Sequence, residues 1–373
     1  MSCPHCHGNA RFLKHRSRRV LTLCGHVTIT RAYYHCACRQ GTCPADTTLQ
    51  LAGRYSRAVQ QLVTLAGTLE PFRDGEAVLE RLAALDITDE QCRQFTERVG
   101  EQLVTEPPPV PIPERAWDFS IPSRDGQTWH ETVAYVGIDA FAVPVLGADR
   151  KREFKMLYVG LLYEPRKEHT VYLTNFDHEQ LAKQLRGAAI SYGYAAASQV
   201  VGLSDAGNGF ERVLQQEFGG GIATLVDFWH AAERLHQVAN TWYGVGSGAA
   251  QDWAHAAKGV LRAKGGAVFL TWLEHHRPEA NEGTAVHEAW QELHTYFTNQ
   301  QHRMDYPTYE AKGWDIGSGP TEAGCKCLST RLKRSGMKWY SNHVAAVARV
   351  RALYLSSDGL WDDLWSSTFS LAT

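Results

Sequence analysis

Acidic residues are missing from two long stretches of this 373-residue chain: no Asp or Glu occurs from Met1 to Ala45, and none from Ala323 to Ser357. The whole chain is nearly neutral, with 38 Lys plus Arg against 40 Asp plus Glu, so net charge by itself identifies no partner. The uneven distribution does: two basic segments on a neutral chain are two places for an anionic polymer. Long apolar runs are also lacking. Nothing approaches the ~18 residues of a membrane span, which excludes a membrane-embedded class. A basic start followed by an apolar h-region is absent too, so the nine cysteines are read as reduced thiols of a cytoplasmic, nucleoid-associated protein rather than as a disulfide framework. Internal repeats are not found, and low complexity is confined to one proline tract.

What is present falls into segments. Residues 1–50 are cysteine-rich and poor in large apolar side chains, too small to fold on a core alone. Residues 51–104 carry helical periodicity, with Val59, Leu62, Val63 and Leu65, then Val78, Leu79, Leu82 and Leu85. The turn at Asp86 to Asp89 separates a helical pair over Pro71 to Leu103, readable as a helix-turn-helix or as plain packing. Residues 105–115 hold a run of prolines that lack donors and fix φ, which predicts a semi-rigid linker.

Strand grammar follows. Thr132 to Val145, Glu153 to Tyr163 and Thr170 to Asn175 predict three consecutive strands; then come a helix from His178, a strand Gln199 to Leu203, a helix Phe210 to Phe218 and a strand Ile222 to Val226. This β-β-β-α-β-α-β order predicts an α/β fold, an RNase H-like mixed five-stranded sheet over residues 116–229 and 313–357. The Trp-rich helical stretch 230–312 predicts an all-α insertion, and 358–373 a tail.

Phosphodiester chemistry needs negative charge neutralised on the attacking and leaving oxygens, which two Mg²⁺ ions do when hard oxygen ligands hold them. Asp139 adjoins the apolar strand from Val133, and an unpartnered charge there is costly. Asp205 ends the next predicted neighbour and precedes Ala-Gly-Asn-Gly; Glu322 lies in the first turn of a helix opened by Gly317-Ser-Gly-Pro320. Each acid alone is also readable as an ordinary turn or cap. Asp227 and His230, three positions apart, are either a supporting pair near the site or a hydrogen-bonded corner.

Cys3-Pro-His-Cys6 and Cys36-Ala-Cys38, with Cys43 close behind, predict a structural Zn²⁺ site whose fourth ligand is open between the Cys36/Cys38 pair, Cys43 and a nearby histidine. Cys24, Cys92, Cys325 and Cys327 read as packing residues. Arg16, Arg18 and Arg19 on the cysteine-rich arms, and Arg331, Lys333 and Arg334 after Glu322, are the candidate phosphate contacts.

The CPHC and YYHCAC elements, VGIDAFAVPV, SDAG, DFWHAAERL and above all RMDYPTYEAKGWDIGSGPTEAGCKCLSTRLKRSGMKW resemble the DDE transposases of bacterial insertion sequences, Kra-type group, over nearly the whole chain. The resemblance implies Asp139, Asp205 and Glu322 as a Mg²⁺- or Mn²⁺-binding catalytic triad. It further implies a zinc ribbon in front, a helical insertion between the second and third acids, and DNA cleavage and strand transfer on terminal inverted repeats and target duplex by a homo-oligomer in a synaptic complex. Ala140 and Phe141 after the first acid, and Ser204 and Asn208 around the second, depart from the usual pattern. A transposase-derived DNA-binding protein that no longer cuts is the alternative, and a zinc-stabilised nuclease acting on RNA or replication intermediates a weaker one.

Overall fold

The computed structural model describes residues 1–51, 53–105, 117–123, 126–207, 209–279, 282–357 and 359–366. Residues 106–115 of the expected linker and Asn208 lie outside them, as does half of the expected tail.

The chain opens with a long antiparallel ribbon, β1 (Ala10–Thr22) and β2 (Gly25–Cys36), paired from Ala10↔Cys36 to Thr22↔Gly25. The two-residue turn ends on Gly25, whose φ of 96° suits only glycine. A short β3 (Gly41–Thr42) adds to β2, and α1 (Pro44–Thr48) follows. Three helices come next: α2 (Arg57–Leu69), capped by Ser56, α3 (Phe72–Ala83) and α4 (Asp89–Thr105).

A mixed five-stranded sheet forms the centre. Its strands are β4 (Val133–Leu146), β5 (Arg152–Tyr163) and β6 (Thr170–Asn175), then, after α5 (His178–Ser191), β7 (Gln199–Ser204), and after α6 (Phe210–Phe218), β8 (Ala223–Val226). The order is β6-β5-β4-β7-β8; β4, β5 and β6 are antiparallel, while β4, β7 and β8 run parallel. Parallel strands need both faces covered, and strand alternation sorts the side chains accordingly. Ala134, Val136 and Ile138 pack with Leu181, Leu185, Phe210 and Leu214 on the α5/α6 face. Val133, Tyr135, Val201, Leu203 and Leu225 form the opposite layer with Trp314.

Beyond β8 the chain is helical. α7 (Phe228–Tyr243), α8 (Gly248–His275), α9 (Thr284–Gln300) and α10 (Tyr306–Ala311) share a core of Leu235, Leu261, Phe269 and Phe297. α8 breaks at Gly265, where φ is 77° and the backbone closes on Met304. The chain then returns through α11 (Gly319–Leu332), α12 (Ser341–Leu355) and α13 (Leu360–Ser366). α11 stops three residues short of the expected Ser335, with the Trp339 indole N–H donating to Leu332 O at 2.9 Å.

Two glycines set close approaches that position the later elements. A Cβ on Gly137 of β4 would collide with the Thr321 hydroxyl, so α11 lies directly across that strand. A Cβ on Gly100 would meet the Ala346 backbone, so α4 and α12 touch main chain to main chain. Among the described residues no helix is long and apolar enough to cross a membrane.

Candidate active site and candidate metal centre

The parallel ladder ends on the pairs Ile138↔Ser204 and Ser204↔Val226. The residue after each member is an acid: Asp139, Asp205 and Asp227. Strand alternation puts all three on the face of Val133, Tyr135 and Gly137, and that is the face α11 crosses. β4 outruns its parallel partner, so Asp139 is interior to a strand, where its carboxylate accepts the Ala140 N–H at 2.7 Å.

Asp205 is half-buried and accepts from Gly207 N–H at 3.3 Å. Burial pushes its carboxyl above the ordinary range; the neighbouring Asp139 charge adds to this, and His230 and Arg234 work against it. Asp227 is fully buried and saturated: it accepts from Trp229 N–H at 2.6 Å, from His230 N–H at 3.0 Å and from Ser318 N–H. One carboxylate therefore caps α7 and pins the Gly-Ser-Gly turn that opens α11. That turn delivers Glu322, which accepts from the Ser318 hydroxyl at 3.2 Å and lies 3.3 Å from His230 Nε2.

The compact ligand set is consequently Asp227, His230 and Glu322, whose ligating atoms all fall within 4.8 Å of one another. Asp139, Asp205 and Glu322 are not a set of that compactness among the described residues. The Asp139 charge nevertheless acts on both Asp205 and Cys325. Cys325 packs with Val159, Leu328 and Ala352, as expected of a packing residue, and burial together with the Asp139 charge pushes its thiol up.

Sequence reasoning passed over Arg303, which is buried behind Asp205 and donates to Ser204 Oγ at 2.9 Å and Leu225 O at 3.3 Å. A lone arginine opening the RMDYP block was its only signal. Arg234, one turn after His230 on α7, lies 4.3 Å over the Tyr296 ring and was also unremarked.

In the N-terminal ribbon Cys3, Cys6, Cys36 and Cys38 bring their sulfurs within 4.8 Å of one another, with Cys3 to Cys38 at 3.7 Å and Cys6 to Cys36 at 3.6 Å. A tetrahedral ion with bonds of about 2.3 Å has sulfur edges of about 3.8 Å, so the spacing fits zinc. The His5 N–H holds Cys3 down at about 7. Cys6, although the Gly8 N–H favours its thiolate, is pushed up to about 12 by the sulfurs of Cys36 and Cys38. Four thiolates this close resist joint ionisation without a cation. Cys43 instead precedes α1 and is not part of this four-sulfur group. Of the remaining thiols Cys92 is buried as packing requires, whereas Cys24 and Cys327 are exposed.

The basic side chains divide. Arg16 is exposed and stacks 3.5 Å over Tyr33, Arg18 pairs with Asp46 at 3.3 Å, and Arg19 is exposed. Lys333 is exposed, and Arg334 pairs with Glu70 at 2.8 Å. Arg331 is not available to phosphate: it is 1% exposed, donates to Gly67 O at 2.7 and 3.1 Å, and lies between the Phe72 and Trp339 rings. Burial opposes its charge, and the Gly67 carbonyl with the two ring faces offsets that cost, so the side chain ties α11 to α2. α4 packs against α2, α3 and α12, with Glu97 paired to His343 at 2.9 Å, and keeps Glu90, Gln94, Arg98 and Glu101 exposed on its remaining face. No family model matches the sequence, and no curated protein matches it.

Proposed function

We propose that the chain is a DDE-type transposase, with an RNase H-like core and a leading zinc ribbon, that cuts and joins DNA strands at the ends of an insertion sequence. One observation carries the reading: Asp139 and Asp205 stand one residue past the last pair of adjacent parallel strands, on the face across which α11 brings Glu322. The sheet order with its antiparallel-then-parallel switch supports the core assignment, as does the helical block between β8 and α11. The sulfur-spaced ribbon supports the zinc module.

Asp139, Asp205 and Glu322 offer the hard oxygens that Mg²⁺ or Mn²⁺ takes, and when bound such an ion pair neutralises charge on the attacking and leaving oxygens of an in-line displacement. Two ions ~3.5–4 Å apart require ligands on both sides of the pair, so acids supplied by two strands and a helix suit two ions better than one. His230 Nε2, when protonated, donates to Glu322 and orients that carboxylate; it is also placed to pass a proton to water. Asp227 holds both groups in register. Double-stranded DNA is the substrate, with Arg16 and Arg19 on the ribbon and Lys333 beside α11 as phosphate contacts, and a homo-oligomer brings two ends together.

The test uses purified full-length protein, Mg²⁺ or Mn²⁺, and DNA cloned from either side of the reading frame. Asp139→Ala, Asp205→Ala and Glu322→Ala each lower strand cleavage on the order of 10³-fold or more, while metal-independent, salt-sensitive binding persists. Wild-type rates in all three variants overturn the reading; binding without any cleavage by the wild type leaves a transposase-derived DNA-binding protein.

A further inference from the structure

We infer that the open edge of β5 is a contact by which two copies of this chain pair, strand against strand. The β4/β5 hairpin outruns both of its neighbours: β7 leaves β4 after Ile138↔Ser204, and β6 leaves β5 beyond Tyr158↔Asn175. One of the two edges bared in this way is covered. Leu146 N–H donates to Trp339 O at 2.8 Å and Trp339 N–H to Pro144 O at 3.2 Å, so the segment after α11 lies along β4. These bonds also fix the direction of the main-chain groups. Because Pro144 and Leu146 point at Trp339, Val143 and Val145 point at β5, where Lys155 and Glu153 stand opposite them. The N–H and C=O groups of Arg152, Phe154 and Met156 therefore face outward, and among the described residues none bonds to them.

An open edge is ordinarily blocked by charge, and Lys155 alone would serve. Here Glu153 stands two residues before it, on the same face of the strand, and both are exposed. Antiparallel pairing of two such edges about Phe154 sets Glu153 of each copy against Lys155 of the other. These opposite charges meet at non-hydrogen-bonded positions, where facing side chains approach most closely. Arg152, Phe154 and Met156 of one copy meet Met156, Phe154 and Arg152 of the other at the hydrogen-bonded positions, which supplies about six main-chain bonds. On that face Phe154 is 57% and Met156 41% exposed, and Arg152 stacks 4.9 Å over the Phe154 ring, so pairing also covers apolar surface that the single chain leaves in water. A slip of two residues in either direction sets Glu153 against Glu153 or Lys155 against Lys155, so charge selects one register. A strand whose charges complement its own reversed copy fits a second molecule of this chain.

The test is sedimentation equilibrium of the full-length protein without DNA, and its outcome is separate from the catalytic reading above. A contact this small predicts a reversible monomer–dimer equilibrium between about 1 and 100 μM. Lys155→Glu and Glu153→Lys, each of which sets like charges opposite at both sites, weaken it on the order of tenfold or more. An equimolar mixture of these two variants regains the dimer, because one strand then carries only positive charge at the two positions and the other only negative. The chain carrying both substitutions pairs with itself. Phe154→Pro, which removes an outward N–H without touching a bond to β4, stays monomeric. A monomer throughout the range, a dimer indifferent to either charge reversal, or a mixture that fails to pair overturns the inference.

Discussion

The four sulfurs of the ribbon all lie within 4.8 Å of one another, whereas Asp139, Asp205 and Glu322 form no set of that compactness among the described residues. Both groups are ionisable side chains brought together from distant parts of the sequence, but their supports differ. The sulfurs hang on a two-stranded ribbon whose small hydrophobic cluster is Cys3, Ala10 and Cys36 with Tyr34, so little besides an ion holds them. The carboxylates sit on the fully packed central sheet, which holds like charges near each other whether or not a cation is there. A closed set on a weak scaffold suits a structural ion, and carboxylates on a strong scaffold suit the reactive ion proposed above.

The most severe way to break this contrast is to remove the ion from the ribbon. Binding free energy in small zinc modules is folding free energy, on the order of 10–16 kcal/mol apparent at neutral pH. Chelation, or Cys36→Ser, is expected to unfold residues 1–51 while the sheet stays intact. Metal analysis should find one zinc per wild-type chain, and limited proteolysis should show cuts confined to the ribbon. A protease-resistant ribbon after complete metal removal would show that the hairpin stands without an ion.

Next in size is Asp227→Ala. Asp227 is fully buried and serves three backbone N–H groups, two at the start of α7 and one at Ser318. Stranding buried donors costs about 1–3 kcal/mol each before relaxation, so a loss of about 3 kcal/mol in denaturant unfolding is expected. Glu322 should lose its placement as well, and cleavage should fall even under conditions where the variant is folded. Full activity in a destabilised Asp227→Ala would separate the cap from the chemistry.

Legibility in the sequence follows the same divide. β6 over Thr170–Asn175 and α6 over Phe210–Phe218 agree with the sequence boundaries to the residue, because apolar alternation and punctuating glycines mark them. Asp139 and Asp205 were visible as charges where strand patterns demand apolar residues. Arg331 was misread because exposure cannot be seen in one dimension: a basic run after Glu322 looks like a solvated face until Phe72, from another module, folds over it. Asp227 was underrated for the same reason, its third donor lying at Ser318, far along the chain. Periodicity records an element's own faces; it does not record which distant backbone group comes to rest on them.

The smallest expected effect tests whether the acidic set is strained for want of a cation. Burial raises the Asp205 carboxyl above its unfolded value, so the folded metal-free protein holds that proton more tightly than the unfolded chain does. The stabilisation is then complete below the unfolded value near pH 4 and is lost as pH rises through the raised one, leaving a penalty at neutral pH. Solvent reaching the half-exposed group keeps the penalty small. Asp205→Asn should therefore stabilise the metal-free protein by on the order of 1 kcal/mol at pH 7.5 and by nothing at pH 3.5. Added Mg²⁺ should reverse the ranking, because binding to the native state stabilises the wild type and not the variant. Paired unfolding curves in chelator and in Mg²⁺ decide the matter. A variant less stable than wild type in chelator at pH 7.5 would mean that the carboxylate is satisfied by His230 and Arg234 alone, and that these acids ask for no ion.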